Sequence, residues 1–556
     1  MVEPVETQPL DEALYDLPEV SAASAGFVRA CSVRNLRKAL LSLTLPLLTV
    51  AALLFAPQAA EAASGYSLTA PGDRTTTSST AIRLTTTFTR NGRKVKKATA
   101  LLQYRKGANW VTEKKVAIRS GKGSVKVKHA AGDRTYQFKV KGKDTSPRFT
   151  VHFVPTTFSI TGSGFGHGVG MSQYGAYELA RLGRSSSEIL SHFYQGAIPS
   201  TANNPSGKIR VQVLGPPDDS RSTTTLTVSS GGFAVLDGAG TALATYRTPG
   251  KVTIGVSGTN VTAKVTLANG TVEQKVLPAS SQLQLTWTTG VVSVSGAQGS
   301  YRYGRLIVSS LKQRPNVVNE LVLNTEYLYG IDEMPSSWGT NAGKGQQALK
   351  AQVVAARTYA LVRVIIGGVR PECNCHVFDD SRSQNFTGWK KTGGTANAPW
   401  RAAVDATVRA NPAQINGSEV DVLRTPALGF AETVYFASSG SYAGGGITYS
   451  GTASNADAFG TTAIGYLSHV DDIDSVRAPG NPYGSWKSTL TQAKAAQLFG
   501  LGPLRSLQVT ERYAGGLVKS LTATSVTGAT TVTLRSELWR ARLGLPGAWV
   551  SGITGR

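Results

Sequence analysis

Glu333 stands in YLYGIDEMPSSW, residues 327–338, a Pro-bounded turn followed by the apolar run ALKAQVVAARTYAL at 348–361. A carboxylate fixed by rigid elements on both sides is what general acid chemistry needs. Spacing alone favours a plainer reading, a turn acid ahead of a core helix, because most such acids do no chemistry. Asp332 is the adjacent acid, and neighbours in an extended segment point opposite ways, so it is not expected to act as a second group. Three further constellations carry reactive side chains. His167 lies among Gly162, Gly164, Gly166, Gly168 and Gly170, where close backbone approach and unusual dihedrals are permitted. Ser438 and Ser439 precede a Gly, with no His–acid relay in view that would make either a nucleophile. Cys373-Asn374-Cys375-His376 offers three metal donors, but they are too close together to wrap a tetrahedron easily and no partner CxxC exists. Oxidation of the two cysteines is the other reading, although so short a loop is strained.

The elements around these residues follow from periodicity. The helix after the turn is predicted over 344–366, with Leu349, Val353, Ala356, Ala360 and Val364 on one face. Ala348, Val354, Ala355 and Leu361 make most of its remaining circumference apolar, so it is buried. Arg357 then sits inside and needs a carboxylate or backbone carbonyls. Pairing with Glu333 would lower that acid's pKa and work against a general-acid role. Upstream, QYGAYELARLGRSSSEILSHFYQG reads as two helices, the first stopped at Arg184-Ser185 and the second capped by Ser187. Residues 207–325 alternate as strands, residues 437–465 read as a cleft-lining loop, and QAKAAQLFG at 492–500 reads as a short helix.

Residues 66–150 contain short alternating runs, IRLTTTFTR, ATALLQYRK, WVTEKKVAIRS, GSVKVKHA and TYQFKVKG, punctuated by turn pairs. They predict an immunoglobulin-like antiparallel sandwich with Trp110 and Tyr104 in its core. The stretch 146–162 reads as a linker. The fold class is therefore α+β and β-rich, an N-terminal immunoglobulin-like β-sandwich followed by a mixed domain with a buried central helix. Five segments are expected: 1–62, an extension and export signal; 63–150, the sandwich; 151–205, the Gly-rich block and two helices; 206–470, the core; and 471–556, a C-terminal part packing on it.

With 556 residues and a net charge of +24, the chain can bury sizeable cores. Arg34, Arg37 and Lys38 precede an apolar run from Ala39 to Ala56 and the small-residue site Ala60-Glu61-Ala62, the order of an export signal. An uncleaved anchor is the alternative, and the composition favours cleavage near Ala62. A secreted, wall-associated location follows, with membrane contact only through the signal. Residues 63–150 carry 20 Lys/Arg against 4 Asp/Glu, which suggests an anionic partner such as wall polymers. Nucleic acid is not expected, since no zinc-finger or recognition-helix pattern is present. Two cysteines beyond Cys31 make no disulfide scaffold, so burial must supply stability.

YLYGIDEMPSSW with ALKAQVVAARTYAL resembles the signature of the SpoIID/LytB family of bacterial cell-wall proteins. VVNELVLNTEYLYG at 317–330, SQNFTGW at 383–389 and YFASSGSYAGG at 435–445 match as well. GSGFGHGVGMSQYGAYELA at 162–180 is similar to the family's Gly-His-Gly block, here N-terminal to the core in an arrangement resembling actinobacterial members. The resemblance implies a SpoIID-type domain and a lytic transglycosylase that cleaves peptidoglycan glycan strands with Glu333 as its single acid and base. It implies sugar contacts from Ser438 and Ser439. If the block packs beside Glu333, His167, Ser172, Gln173 and Tyr174 join the cleft, although His167 fits equally a loop-internal hydrogen bond. Met334, Pro335 and Trp338 are expected to desolvate the acid, and Arg357 to have a structural and electrostatic role. Zinc on Cys373, Cys375 and His376 is a family possibility, but no cofactor is otherwise expected. A non-catalytic enhancer of a partner amidase is the alternative function. An inverting hydrolase would need a second carboxylate, for which Asp379 and Asp380 are candidates.

Overall fold

The computed structural model describes residues 65–203, 207–267, 275–340, 343–414, 417–444 and 447–556. The export-signal reading and Cys31 lie outside them. Among the described residues no helix is long and apolar enough to cross a membrane. The chain is α+β and β-rich, and it divides after Val154 into two compact units.

The first unit is built from strands whose side chains alternate between core and solvent. Ile82–Arg90 buries Leu84, Thr86 and Phe88 and exposes Arg83, Thr85 and Thr87 between them. Lys97–Lys106, Asn109–Arg119, Lys122–Val127 and Gly132–Val140 continue the antiparallel ladder. Phe149–Val154 closes it, antiparallel to Gly132–Val140 and parallel to Arg74–Thr77. The last strand corrects the linker reading of 146–162, because FTVHFV alternates and belongs to the ladder. The core is Leu84, Phe88, Leu102, Tyr136, Phe138 and Phe149 rather than Trp110 and Tyr104. Those two rings are half-buried beneath guanidinium groups, Arg148 over Trp110 at 5.7 Å and Arg134 over Tyr104 at 4.9 Å. An amphipathic ring and a planar cation cover each other at the margin without entering the core.

In the second unit the three segments expected beyond residue 150 form one body. Thr157–Ser163 pairs on one side with Trp486–Thr491 and on the other with Trp549–Gly555, so its first strand is sewn into its last. A seven-stranded sheet, centred on Arg305–Leu311 and Arg314–Val322, and a six-stranded sheet built on Gly250–Ser257 occupy its middle. Helix α1 is Gln173–Arg181, α2 is Ser186–Phe193 and α3 is Gln346–Val362. The cap of α2 is Ser185, not Ser187, because Glu188 at the third helical position closes a capping box with Ser185. Helix α3 is buried almost all round, as its composition requires. The segment 437–465 is not a simple loop. It holds the hairpin Ser441–Gly444 and Ile447–Ser450 and the short helix Asn455–Phe459.

Candidate active site

Strand Arg314–Val322 ends in a single π-turn at Leu323–Tyr327, and the chain then enters the acidic turn. The polypeptide around 385 runs against that turn. The Asp332 N–H donates to the Asn385 carbonyl at 2.8 Å, and the Asn385 amide donates back to the Asp332 carbonyl at 2.8 Å. This pairing aims the Asn385 backbone N–H at Glu333 Oε1, 2.7 Å away. Gln173 Nε2, at the start of α1, lies 3.4 Å from Glu333 Oε2. The Tyr435 hydroxyl completes the donor set, and Gln384 holds it from behind at 2.8 Å. Tyr327 in turn donates to Gln384 at 2.6 Å. Burial raises the Glu333 pKa above the ordinary carboxyl value, and the three donors offset part of that rise. The residue as a whole is half-buried.

The adjacent acid has the opposite fate. Lys391 Nζ sits 2.9 Å from Asp332 Oδ1 and also donates to the Met334 carbonyl at 2.6 Å, locking the turn on its far side. Asp380 is bound by Arg382 and is not available as a partner carboxylate for Glu333. Asp379 is pushed up to about 7 by burial and by Asp380, and its charge acts on Asp380 and Arg382. Arg357 is 0% exposed and forms no ion pair with a carboxylate among the described residues. It donates to the Asp421 carbonyl at 3.0 Å, the Thr407 hydroxyl at 2.9 Å and the Asn324 carbonyl at 3.4 Å. It therefore ties α3 to its surroundings, and among the described residues no guanidinium forms an ion pair with Glu333.

The glycine block reaches this site by parallel pairing, Met171 with Tyr435 and Ser172 with Phe436. The approach is close: a Cβ on Gly170 would stand 2.0 Å from the Val434 carbonyl oxygen, and its φ of +74° suits glycine alone. His167 accepts the Val169 N–H at 3.0 Å and donates to the Tyr435 carbonyl. It lies between Phe436 and Phe459, and burial lowers its pKa to about 4. It thus acts on the loop that carries Tyr435, with no contact to Glu333. Ser172 was expected in the cleft but is fully buried, capping α1 through the Gly175 N–H and donating to Asp472 at 2.5 Å. Ser438 and Ser439 are also fully buried. Ser438 bonds Ser475 at 3.0 Å and Asn481 at 2.9 Å, and Ser439 faces Asp472. A helix start and a tight turn need internal partners, so the Ser172 and Ser438 hydroxyls are spent on the fold rather than offered to a sugar, and the Ser439 hydroxyl is buried.

Tyr174 does line the surface. It meets Trp338 edge-on at 5.1 Å, and Trp338 stacks on Tyr177 at 4.3 Å. On its other side Tyr174 meets Tyr483 at 6.1 Å, and Tyr483 meets Phe165 at 4.4 Å, with Phe165 38% exposed. A row of aromatic rings therefore runs from Trp338 through Tyr174, next in sequence to Gln173, to Tyr483 and Phe165, the kind of wall on which a pyranose face can stack. Pro335 is exposed and Met334 buried, so Met334 rather than Pro335 is placed to desolvate the turn.

Cys373 and Cys375 are joined by a disulfide, and His376 Nδ1 accepts the Arg210 N–H at 2.8 Å. The two sulfurs are bonded to each other and His376 Nδ1 is engaged by backbone. Among the described residues no cluster of three His, Cys, Asp or Glu could hold an ion. Sequence reasoning did not single out Asn385, Gln384 or Tyr435 as site residues. Asn385 and Gln384 sit in SQNFTGW and Tyr435 opens YFASSG, but only the fold brings the Asn385 backbone N–H and the Tyr435 hydroxyl to Glu333, with Gln384 behind Tyr435.

Residues 312–410 match the family model described as SpoIID, Stage II sporulation protein. That span includes Glu333, α3 and the Asn385 segment. Through it this part of the chain is similar to the SpoIID family. The Stage II sporulation protein D of Bacillus amyloliquefaciens is 54% identical over 48 residues, 9% of this chain and 14% of that protein. The same-named protein of Bacillus subtilis (strain 168) is 49% identical over 47 residues, 8% of this chain and 14% of that one. The amidase enhancer of Bacillus subtilis (strain 168) is 49% identical over 47 residues, 8% of this chain and 7% of that protein. The chain thus spans about a seventh or less of the length of these curated SpoIID relatives.

Proposed function

We propose that this SpoIID-family chain is a secreted, wall-associated lytic transglycosylase acting on peptidoglycan glycan strands. The observation that carries the reading is the isolation of Glu333. It is a carboxyl raised by burial in a half-buried residue, ringed by neutral donors that include Gln173, next in sequence to the surface ring of Tyr174, while Lys391 takes the neighbouring acid. Cleavage of a β-1,4 bond between N-acetylmuramic acid and N-acetylglucosamine needs a proton on the leaving oxygen as the C1–O bond breaks toward an oxocarbenium-like state. Protonated Glu333 donates it. The resulting carboxylate then takes the proton of the sugar's own C6 hydroxyl as that oxygen bonds to C1, closing a 1,6-anhydro ring and restoring the acid. The Asn385 N–H, Gln173 and Tyr435 stabilise the ionised form formed between the two steps. The same carboxyl acts as acid and then base, so no second carboxylate is required. In this reading residues 65–154 form an immunoglobulin-like sandwich that holds the protein to anionic wall polymers.

A second reading, a non-catalytic enhancer of a partner amidase, is favoured by the likeness to a protein named amidase enhancer. Mass spectrometry of glycan strands incubated with the protein separates the two. Anhydro-muramyl ends support the transglycosylase. Intact strands that still bind the protein point to the enhancer, and ordinary reducing ends point to a hydrolase.

A further inference from the structure

In the first unit all four acids between residues 63 and 150 are held by partners. Asp73 accepts the Thr150 N–H at 2.6 Å, and Asp144 accepts those of Leu68 and Thr145 at 2.6 and 2.7 Å. Glu113 binds His129 at 3.0 Å and Tyr136 at 3.2 Å, and Asp133 binds His152 at 2.8 Å. The cations are placed differently. Two hairpin turns, Asn91-Gly92 and Ser120-Gly121, lie side by side, with the Ser120 and Gly121 N–H groups donating to the Lys96 and Val95 carbonyls at 2.9 and 2.8 Å. Around them Arg90, Arg93, Lys94, Lys97, Arg119 and Lys122 are all exposed. Strand register sets three like-charged pairs directly opposite each other: Arg90 with Arg93, Lys97 with Arg119, and Arg119 with Lys122. Among the described residues none of the six forms an ion pair within the chain.

Like charges directly opposite on paired strands destabilise a sheet. A solubilising face would scatter its cations or mix in acids; here they gather at one end, at a cost to the fold. We propose that this hairpin end is a docking surface for a linear phosphate-bearing polymer of the cell wall, an inference that rests on the wall reading of the proposed function. Neighbouring strands lie about 4.8 Å apart, so cations in a cross-strand row are spaced to meet successive charges of an extended chain. Arginine forks suit phosphate oxygens in particular. Membrane insertion is disfavoured, because Val111 is the one large exposed hydrophobic side chain among the unit's described residues and lies at the opposite end of its strand from Arg119.

The test measures binding of the full chain to immobilised poly(glycerol phosphate) at about 0.15 M salt, where diffuse surface attraction is largely screened. The K97Q/R119Q/K122Q variant is compared with R105Q/K106Q/K128Q, which removes equal charge from elsewhere in the unit. The first should bind about tenfold more weakly, with a higher Tm because opposed charges are gone. The second should bind within about twofold of the unaltered protein. Equal losses in both variants, or no loss in the first, overturn the proposal. So does a loss confined to anionic lipid vesicles or DNA. Cleavage of uncharged soluble glycan strands is followed in the same samples. If no protein cleaves but the binding contrast holds, the enzymatic reading fails and the docking surface stands; the reverse pattern removes the docking surface alone.

Discussion

Glu333 and Asp472 are two carboxyls that burial holds above the usual range, and consecutive residues of one loop reach them: Ser172 takes Asp472, and Gln173 takes Glu333. Their surroundings differ in access. Asp472 is 2% exposed and closed in by Ser172, Ser439 and the Ser475 N–H. Glu333 is half-buried, and its donor Gln173 is next in sequence to Tyr174, in the row of rings that ends at exposed Phe165. A raised pKa thus accompanies both a structural acid and a candidate catalytic one. What distinguishes them is whether a reacting oxygen can come within hydrogen-bond reach.

The comparison breaks most sharply through Glu333→Gln. Strand cleavage should fall by about 10²-fold or more, the usual worth of a positioned acid. Thermal stability at neutral pH should hold or rise, because the folded state no longer has to keep a proton that the unfolded chain releases. A protein that still releases anhydro ends after this change sinks the enzymatic account. Asp472→Ala should do the reverse, costing about 1–3 kcal/mol by leaving the buried Ser172 hydroxyl without its acceptor, with cleavage by the remaining folded protein unchanged. Denaturant titration beside a cleavage assay reads both.

A milder pair sharpens the contrast. The Asp472 pKa stands at about 7 against an ordinary 3.8. The native state therefore holds a proton that the unfolded chain has lost, and this group's contribution to stability falls as pH climbs from about 4 to about 7 and is level above that. Asp472→Asn should remove that slope from a Tm–pH curve. Gln173→Ala removes a donor that favours ionised Glu333, so the basic limb of the cleavage profile should move to higher pH while the stability profile keeps its shape. The smallest effect is expected for Phe165→Ala, a KM rise of about three- to tenfold with kcat nearly kept, as for a lost stacking contact.

Much of the fold was legible locally. Strand Ile82–Arg90 follows its alternation residue for residue, and α3 lies within the predicted 344–366 because an all-round apolar run can only be buried. The first unit's last strand was hidden because FTVHFV is flanked by prolines that mimic a linker. The hydroxyls of Ser172, Ser438 and Ser439 misled for a different reason. A serine in a Gly-rich word looks alike whether it faces a sugar or a buried aspartate, and Asp472 lies 300 residues from Ser172.

Composition and pattern alone determined the basic first unit, the buried helix and the carboxylate in its Pro-bounded turn, since these depend on neighbours within a few residues. Only the tertiary structure decided which acid is neutralised and which stays open. Gln173, the Asn385–Lys391 segment and Tyr435 come from three separate stretches of chain. A carboxyl's solvation and charge partners are set by what packs against it through space, and that information is not carried by any local run of residues.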